Sequence, residues 1–264
     1  MSPDPRTLDL AAATIRPALG DSLLVIGLCG AQGSGKSTLA AGLATLFRQE
    51  SVPSAILSID DLYHTKAERE RLGREIHPLL RTRGVPGTHD LVLGHRVIDD
   101  LASGRSTRLP RFDKAIDDRA PASQREIAPA GTRLLILEGW CVGARPQAQT
   151  ALVEPVNALE RDEDLQGIWR HYVNGQLTGP YQDLFARVDR LILLAAPSFD
   201  IVLRWRIEQE EALRREREGG MCDAEIARFI QHYERLTRHI LSEMPARADL
   251  VVPLAEDRSP RLRG

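Results

Sequence analysis

The feature that most constrains this chain is a glycine-rich segment that directly follows an apolar run. Residues 30–38 read GAQGSGKST, and residues 23–29 read LLVIGLC. The pattern GxxxxGKS between a strand and a helix forms a loop whose backbone N–H groups surround phosphate oxygens. The sequence therefore predicts an α/β fold that binds a nucleotide triphosphate.

Each residue type in this segment has a chemical role. Gly30 allows the chain to turn off the strand, while Gly33 and Gly35 let backbone N–H groups approach phosphate oxygens. Lys36 places a positive charge against the β- and γ-phosphates, and Ser37 offers its hydroxyl to Mg²⁺. The predicted nucleotide-binding residues are Gly30, Ala31, Gln32, Gly33, Ser34, Gly35, Lys36, Ser37 and Thr38.

Five short apolar runs recur without polar alternation, which is typical of strands buried on both faces. They cover residues 25–29, 54–59, 133–138, 190–195 and 249–254. Helical patterns lie between them, so we expect a P-loop NTPase-type parallel sheet of about five strands flanked by helices. We also expect the second strand to lie beside the first, and residues 1–264 to form one domain.

Composition favours a small-molecule partner. The chain has 35 Lys and Arg against 37 Asp and Glu, so the basic excess typical of nucleic-acid-binding proteins is absent. No apolar stretch approaches the roughly 18 residues of a membrane span, and the N-terminus does not resemble a signal peptide. We expect a cytoplasmic protein without a membrane partner. The cysteines, Cys29, Cys141 and Cys222, form no CxxC motif and are expected to be buried apolar residues.

The stretch from about 78 to 131 differs from the rest of the chain. It is rich in Pro, Gly, Arg and Asp, with one helical pattern at its centre. Loops this long in a compact domain are usually functional. We therefore predict a substrate-binding insert in this stretch.

Two acidic strand ends supply candidates for chemistry. Glu138 ends the run LLILE, and a carboxylate beside a phosphate loop suits Mg²⁺, although a solvated strand end is the alternative. Asp60 and Asp61 follow the second run, where a carboxylate can accept the proton of an attacking alcohol. The alternative is that this pair caps the helix predicted from TKAERERLGREIH. A GTPase would carry an NKxD motif, and the chain has none, so a kinase with Asp60 as its base is favoured.

The order of motifs resembles the phosphoribulokinase and uridine kinase group of P-loop kinases. After the phosphate loop come DDLY (60–63), PRFD (110–113) and EGW (138–140). The resemblance implies ATP and Mg²⁺ as cofactors, Asp60 as the base, and acceptor contacts from Tyr63 and Asp113. Phe112 stands where the group has Tyr.

Within that group the chain is most similar to the D-glycerate 3-kinases of plants and fungi. The similarity is carried by SIDDLY (58–63), GVPGTHD (84–90), PRFDKAIDDR (110–119), LEGWCVG (137–143) and NALERDEDLQGIWRHYVN (157–174). It implies phosphorylation of D-glycerate to 3-phosphoglycerate. Two positions depart from the family pattern, because Val85 replaces an Asn and Leu62 replaces an aromatic residue.

A glycerate acceptor requires cations near its carboxylate once water is excluded. We expect Arg111, Lys114 and Arg119 to supply them, and the motif RTRG adds Arg81 and Arg83. The alternative is a solvated charged loop.

Further predicted acceptor contacts are Asp61, His89 and Asp90. A helix and loop at about 200–220 are predicted to close over the phosphates, with Arg206, and as a further candidate Arg204, contacting the transferring phosphoryl group.

Two rival functions remain open from the sequence. A P-loop kinase can use another acceptor, such as pantothenate, a nucleoside or a sugar phosphate. A nucleotide-gated binding protein can carry the same phosphate loop without phosphorylating a metabolite. Asp60, Glu138 and the charged insert favour catalysis.

Overall fold

The computed structural model describes residues 2–216 and 221–261. Its strands are β1 (Leu24–Gly30), β2 (Ser54–Ser58), β3 (Thr107–Arg108), β4 (Phe112–Asp113), β5 (Asp118–Arg119), β6 (Ile127–Ala128), β7 (Leu134–Gly139), β8 (Arg190–Ala195) and β9 (Leu250–Pro253). Its α-helices are α1 (Pro5–Ile15), α2 (Lys36–Gln49), α3 (Lys66–Glu75), α4 (Leu91–Ala102), α5 (Ala158–Glu163), α6 (Ile168–Thr178), α7 (Pro180–Phe185), α8 (Asp200–Glu216) and α9 (Asp223–Glu243).

The five long strands form one parallel sheet in the order β2-β7-β1-β8-β9. This confirms the predicted α/β fold with about five buried strands. The expectation that β2 lies beside β1 is wrong, because β7 pairs with both and lies between them. Apolar runs identify strands but carry no information on which strands pair.

Packing on both faces of the sheet explains its apolar sequence. On one face, Leu39, Leu43 and Phe47 of α2 pack with Ile26 and Leu28 of β1. Helices α4, α7 and α9 cover the other face. Burying each such side chain contributes about 1.5 to 3 kcal/mol, so this packing fixes β1 and α2 on either side of the phosphate loop.

The predicted insert contains α4 and two short antiparallel pairs, β3 with β6 and β4 with β5. The second pair is a hairpin, and Asp117 in its turn has a φ of 55°, which is uncommon for a residue other than glycine. Because the sequence analysis predicts acceptor contacts in residues 112–119, we call them the acceptor hairpin.

The burial of the cysteines and the apolarity of the helices can be compared with the sequence predictions. Cys29 and Cys141 are buried, but Cys222 is exposed, so the expectation of burial is wrong for Cys222. It immediately precedes α9 and belongs to none of the three clusters of buried apolar residues. Among the described residues, no helix has the length and apolarity that crossing a membrane requires.

Candidate active site

The phosphate loop has the backbone geometry that its glycines allow. Gly33 and Gly35 have φ values of 79° and 86°, which favour glycine, and Gly35 immediately precedes α2. A Cβ atom on Gly33 would lie 2.6 Å from Cβ of Trp205. The loop therefore places Lys36 and Ser37 on the first turn of α2, where the helix dipole favours bound anions.

The segment that follows β9 contacts the phosphate loop and stabilises its conformation. Arg258 donates from Nε to the carbonyl oxygen of Gly33 over 2.7 Å. Its guanidinium also lies over the ring of Trp205, 5.3 Å from the centroid. Trp205 in turn donates to the carbonyl oxygen of Glu256 over 2.7 Å. The conformation of Gly33 thus depends on α8 and on the segment after β9.

A cavity of about 760 Å³ opens in front of the phosphate loop. Lys36 and Ser37 line one part of it, and Asp60 and Lys114 line another. The volume lies within the usual range for small-ligand sites. The fold therefore brings the predicted phosphate-binding lysine and the predicted base to one cavity.

Glu138 lies on β7, the strand between the phosphate loop and Asp60, in register with Leu28 and Ser58. Its Oε1 accepts a hydrogen bond of 3.1 Å from the Ser37 hydroxyl. Its Oε2 is buried and has no hydrogen-bond partner within the described chain. A buried carboxylate oxygen beside a hydroxyl is an oxygen donor set that fits Mg²⁺.

Both carboxylate oxygens of Asp60 are engaged. The Tyr63 hydroxyl donates to Oδ1 over 2.8 Å, and Lys114 Nζ donates to Oδ2 over 2.7 Å. Burial acts to raise the pKa of Asp60, but Lys114, Lys36 and the Tyr63 hydroxyl outweigh it and hold that pKa well below its usual range. Asp60 is therefore ionised at neutral pH.

Tyr63 is held in place by aromatic packing. Its ring stacks on His89 with centroids 4.6 Å apart and meets Phe112 edge-on at 5.2 Å. His89 Nδ1 lies 2.5 Å from the Tyr181 hydroxyl, and burial lowers the pKa of His89 to about 3. His89 is therefore neutral at pH 7 and lies behind Tyr63, outside the set of residues that line the cavity.

A buried arginine on α3, Arg69, was not identified by the sequence analysis. It joins the 81–83 segment to the acceptor hairpin, and we call these two segments together with Asp60 the acceptor side of the cavity. Only 2% of Arg69 is exposed, and it donates to the carbonyl oxygens of His64, Arg81 and Asp117 at 3.2, 2.8 and 2.8 Å. It also pairs with the Asp117 carboxylate at 2.9 Å, and Arg83 forms a second ion pair with the same carboxylate. Arg69 therefore fixes the acceptor hairpin against the 81–83 segment.

Cations from both loops line the cavity. Arg81 and Arg83 come from the 81–83 segment, and Lys114 comes from the acceptor hairpin. Among the described side chains, those of residues 2–211 and 221–261, no carboxylate pairs with Arg81. Trp140 also lines the cavity and donates to the carbonyl oxygen of Gly84 over 2.9 Å.

Several predicted acceptor contacts lie outside the cavity lining because other groups hold them. Asp61 accepts from the Phe112 backbone N–H at 2.9 Å and pairs with Arg111 at 3.4 Å. These contacts attach the acceptor hairpin to the turn after β2. The alternative that the Asp60 and Asp61 pair caps α3 is wrong, since the cap of α3 is Thr65.

Three other predicted acceptor contacts, Asp90, Asp113 and Arg119, also interact with groups of the chain. Asp90 caps α4 by accepting from the Leu93 backbone N–H at 3.0 Å, and it pairs with Arg119 at 2.9 Å. Asp113 accepts from the Ala115 backbone N–H at 2.9 Å. None of Asp90, Asp113 and Arg119 belongs to the described lining of the cavity.

The predicted phosphoryl-binding arginines lie on α8. Arg206 lines the cavity and pairs with Glu210, one turn further along, at 2.7 Å. Arg204 pairs instead with Glu256 at 2.5 Å and does not line the cavity. The end of the predicted lid, residues 217–220, lies outside the described residues.

Comparison with known proteins gives the class to which this site belongs. The model of the phosphoribulokinase and uridine kinase family matches residues 25–154. A kinase of Schizosaccharomyces pombe described as uncharacterised, mug58, is 34% identical over 220 residues, which are 79% of this chain and 78% of the relative. The chain therefore belongs to the phosphoribulokinase and uridine kinase family and is an ATP-dependent P-loop kinase.

Two further proteins sharpen the resemblance. The chloroplast D-glycerate 3-kinase of Arabidopsis thaliana is 29% identical over 258 residues, which cover 90% of this chain and 54% of that protein. The chain thus spans about half of the plant enzyme. The structure of the D-glycerate 3-kinase from Cryptococcus neoformans superposes with a TM-score of 0.82 at 23% identity, covering 98% of this chain and 99% of that chain. That superposition shows a shared fold.

Proposed function

We propose that this kinase transfers the γ-phosphoryl group of ATP to a hydroxyl of a small hydroxy acid, with D-glycerate as the acceptor and 3-phosphoglycerate as the product. One observation carries the proposal: a single cavity is lined by Lys36, Asp60 and the cations Arg81, Arg83 and Lys114. Two relatives that are D-glycerate 3-kinases by name support the choice of acceptor.

The chemistry follows from the placement of Asp60 and the phosphate loop. The acceptor hydroxyl forms the new bond to the γ-phosphorus and gives its proton to Asp60. The bond from phosphorus to the bridging oxygen breaks, and ADP leaves with the electron pair. Lys36 and Arg206 stabilise the negative charge of the phosphoryl oxygens during transfer.

Ser37 and Glu138 would hold Mg²⁺. The ion would neutralise charge on the β- and γ-phosphates when bound. The buried, unpartnered Oε2 of Glu138 supports this assignment, as does the direct contact between the two side chains.

An anionic acceptor suits the charges on the acceptor side. There the cavity is lined by Arg69, Arg81, Arg83 and Lys114 against Asp60 and Asp117. This excess of cations favours a hydroxy acid or a sugar phosphate over a neutral nucleoside. All of these residues except Arg69 and Asp60 belong to the predicted insert, about 78–131, which supports its role in binding the acceptor.

An acceptor panel tests the proposal. Production of ADP is measured with ATP and Mg²⁺ alone and after addition of D-glycerate, L-glycerate, glycerol, pantothenate or uridine. We expect turnover with D-glycerate and little with glycerol, which has the hydroxyls but lacks the carboxylate. ADP production that no acceptor stimulates would support a nucleotide-gated binding protein instead, and preference for uridine would exclude a carboxylate site.

A further inference from the structure

Two neighbouring side chains engage the carboxylate of Asp60, the proposed base. Each oxygen of Asp60 accepts a hydrogen bond, one from Tyr63 and one from Lys114. An acceptor hydroxyl must also donate to this carboxylate before it can lose its proton. Each oxygen keeps a second lone pair for that donor, but the ion pair with Lys114 makes the carboxylate a weaker base. Asp60 is therefore a stronger base when one of its partners, Lys114 or Tyr63, moves away.

The two partners differ in how easily they can move. Tyr63 is 2% exposed and is packed between His89 and Phe112. The Lys114 side chain is 59% exposed and extends from the turn of the acceptor hairpin. An exposed lysine changes rotamer without disturbing a core, so Lys114 is the partner that yields.

We propose that Lys114 keeps Asp60 from acting as a base until the carboxylate of a bound acceptor draws Lys114 away. The inference rests on the proposed function, since it needs an acceptor that carries both a carboxylate and a hydroxyl. The carboxylate replaces Asp60 as the partner of Lys114, and the hydroxyl replaces Lys114 as the donor to Asp60. Both charged groups keep a hydrogen-bond partner in this exchange, although Asp60 exchanges a cation for a neutral donor.

The exchange predicts slow hydrolysis of ATP when no acceptor is bound. Water offers a hydroxyl to Asp60 but has no carboxylate to attract Lys114. In hydrolysis, the water oxygen would bond to the γ-phosphorus, its proton would pass to Asp60, and ADP would leave with the electron pair of the broken bond. While Lys114 occupies Asp60, that proton transfer is suppressed, because the paired carboxylate is a weaker base.

The first test removes the blocking cation. Lys114→Met should raise ATP hydrolysis without acceptor about 10-fold, well within what general base catalysis can supply. It should also raise the turnover of glycerol relative to that of D-glycerate. Lys66→Met is the matched control, because Lys66 is exposed at the start of α3 and does not line the cavity. A melting curve for each variant establishes that it folds, and Lys114→Gln repeats the measurement with a polar side chain.

The second test leaves the protein unchanged. Propionate has the three carbons and the carboxylate of glycerate but no hydroxyl. It should therefore draw Lys114 from Asp60 and speed ATP hydrolysis by the unsubstituted enzyme, while leaving the Lys114→Met variant unaffected.

The outcomes separate the two proposals. If the enzyme phosphorylates D-glycerate, yet Lys114→Met and Lys114→Gln hydrolyse ATP no faster than Lys66→Met and propionate has no effect, Lys114 does not block Asp60. The proposed function then stands without it. If the unsubstituted enzyme phosphorylates no hydroxy acid, both proposals are overturned.

Discussion

The two halves of the active-site cavity differ in whether their polar groups have partners within the chain. On the nucleotide side, polar groups of the described chain lack partners. Gln32 Oε1 in the cavity lining is buried without a hydrogen-bond partner, as are Ser34 Oγ and Glu138 Oε2 next to that lining, and Lys36 has no carboxylate partner. On the acceptor side the main groups are paired with one another, Asp60 with Lys114 and Asp117 with Arg69 and Arg83.

This difference indicates how each half of the cavity can bind its ligand. An open buried polar group is costly until a ligand satisfies it, so the nucleotide side gains from every phosphate and metal contact. A paired group must first lose its partner, so the acceptor side gains only the difference between two interactions. The nucleotide side is therefore preorganised, whereas the proposed exchange of partners would let the acceptor side discriminate between acceptors.

The largest effect should come from the nucleotide side. Lys36→Ala removes the charge that meets the β- and γ-phosphates, and we expect kcat/KM to fall by about 10³-fold. The fold should be retained, because Lys36 makes no ion pair with the described side chains of residues 2–211 and 221–261. Steady-state kinetics together with a thermal melt make the check, and unchanged turnover would exclude Lys36 from the phosphate site.

Asp60→Asn should have the next largest effect. The amide keeps the size of the side chain and can still meet Tyr63, but it cannot take up the acceptor proton. We expect kcat to fall by about 10²-fold or more, with the affinity for ATP nearly kept. Asp61→Asn is the control, since Asp61 holds the acceptor hairpin outside the cavity lining. A larger loss for Asp61→Asn would mean that the base has been misassigned.

A third prediction compares two arginines of the insert. Arg81 lines the cavity without a carboxylate partner in the described chain, whereas Arg111 is 66% exposed and pairs with Asp61. Arg81→Ala should raise the KM for D-glycerate by about 10-fold, the equivalent of roughly 1.4 kcal/mol, with the KM for ATP unchanged. Arg111→Ala should change either KM by less than about threefold. If the two substitutions changed the KM for D-glycerate equally, a position in the cavity lining would not distinguish Arg81 from Arg111.

The smallest effect concerns the free energy of unfolding of the protein at low pH, to which His89 contributes. Burial lowers the pKa of His89 to about 3, against 6.5 for an exposed histidine. The unfolded chain therefore binds a proton between these values that the folded protein does not. The resulting stability is complete above pH 6.5 and declines as the pH falls, by up to about 1.4 kcal/mol per unit. Urea unfolding at pH 7 and pH 5 should show a smaller decline for His89→Gln than for the unsubstituted protein.

Much of the fold and of the nucleotide side could be predicted from the sequence, because both depend on local patterns. The five apolar runs are the five strands, and GAQGSGKST forms its loop between β1 and α2. Strand order depends on contacts between distant segments, which is why the position of β2 was predicted wrongly. Glu138 was identifiable because it ends an apolar run.

The acceptor side was harder to predict because its interactions join distant loops. In KAERERLGRE, Arg69 resembles its exposed neighbours, and only the fold reveals the carbonyl oxygens that surround it. Arg119 and Arg111 have the charge expected of carboxylate ligands, yet each pairs with an aspartate of the chain. Charge in a loop indicates that ion pairs form but does not show which ones face a ligand.

The contact between Arg258 and Gly33 has a consequence for synthesis of the protein. The two residues are 225 positions apart. At translation rates of about 5 to 20 residues per second, the phosphate loop leaves the ribosome roughly 10 to 45 s before the arginine that supports it. During that interval ATP would meet a loop without its support, so nucleotide binding should develop late and should not guide the folding of the nascent chain. Ribosome-bound chains halted before and after Arg258 should differ accordingly in their retention on immobilised ATP.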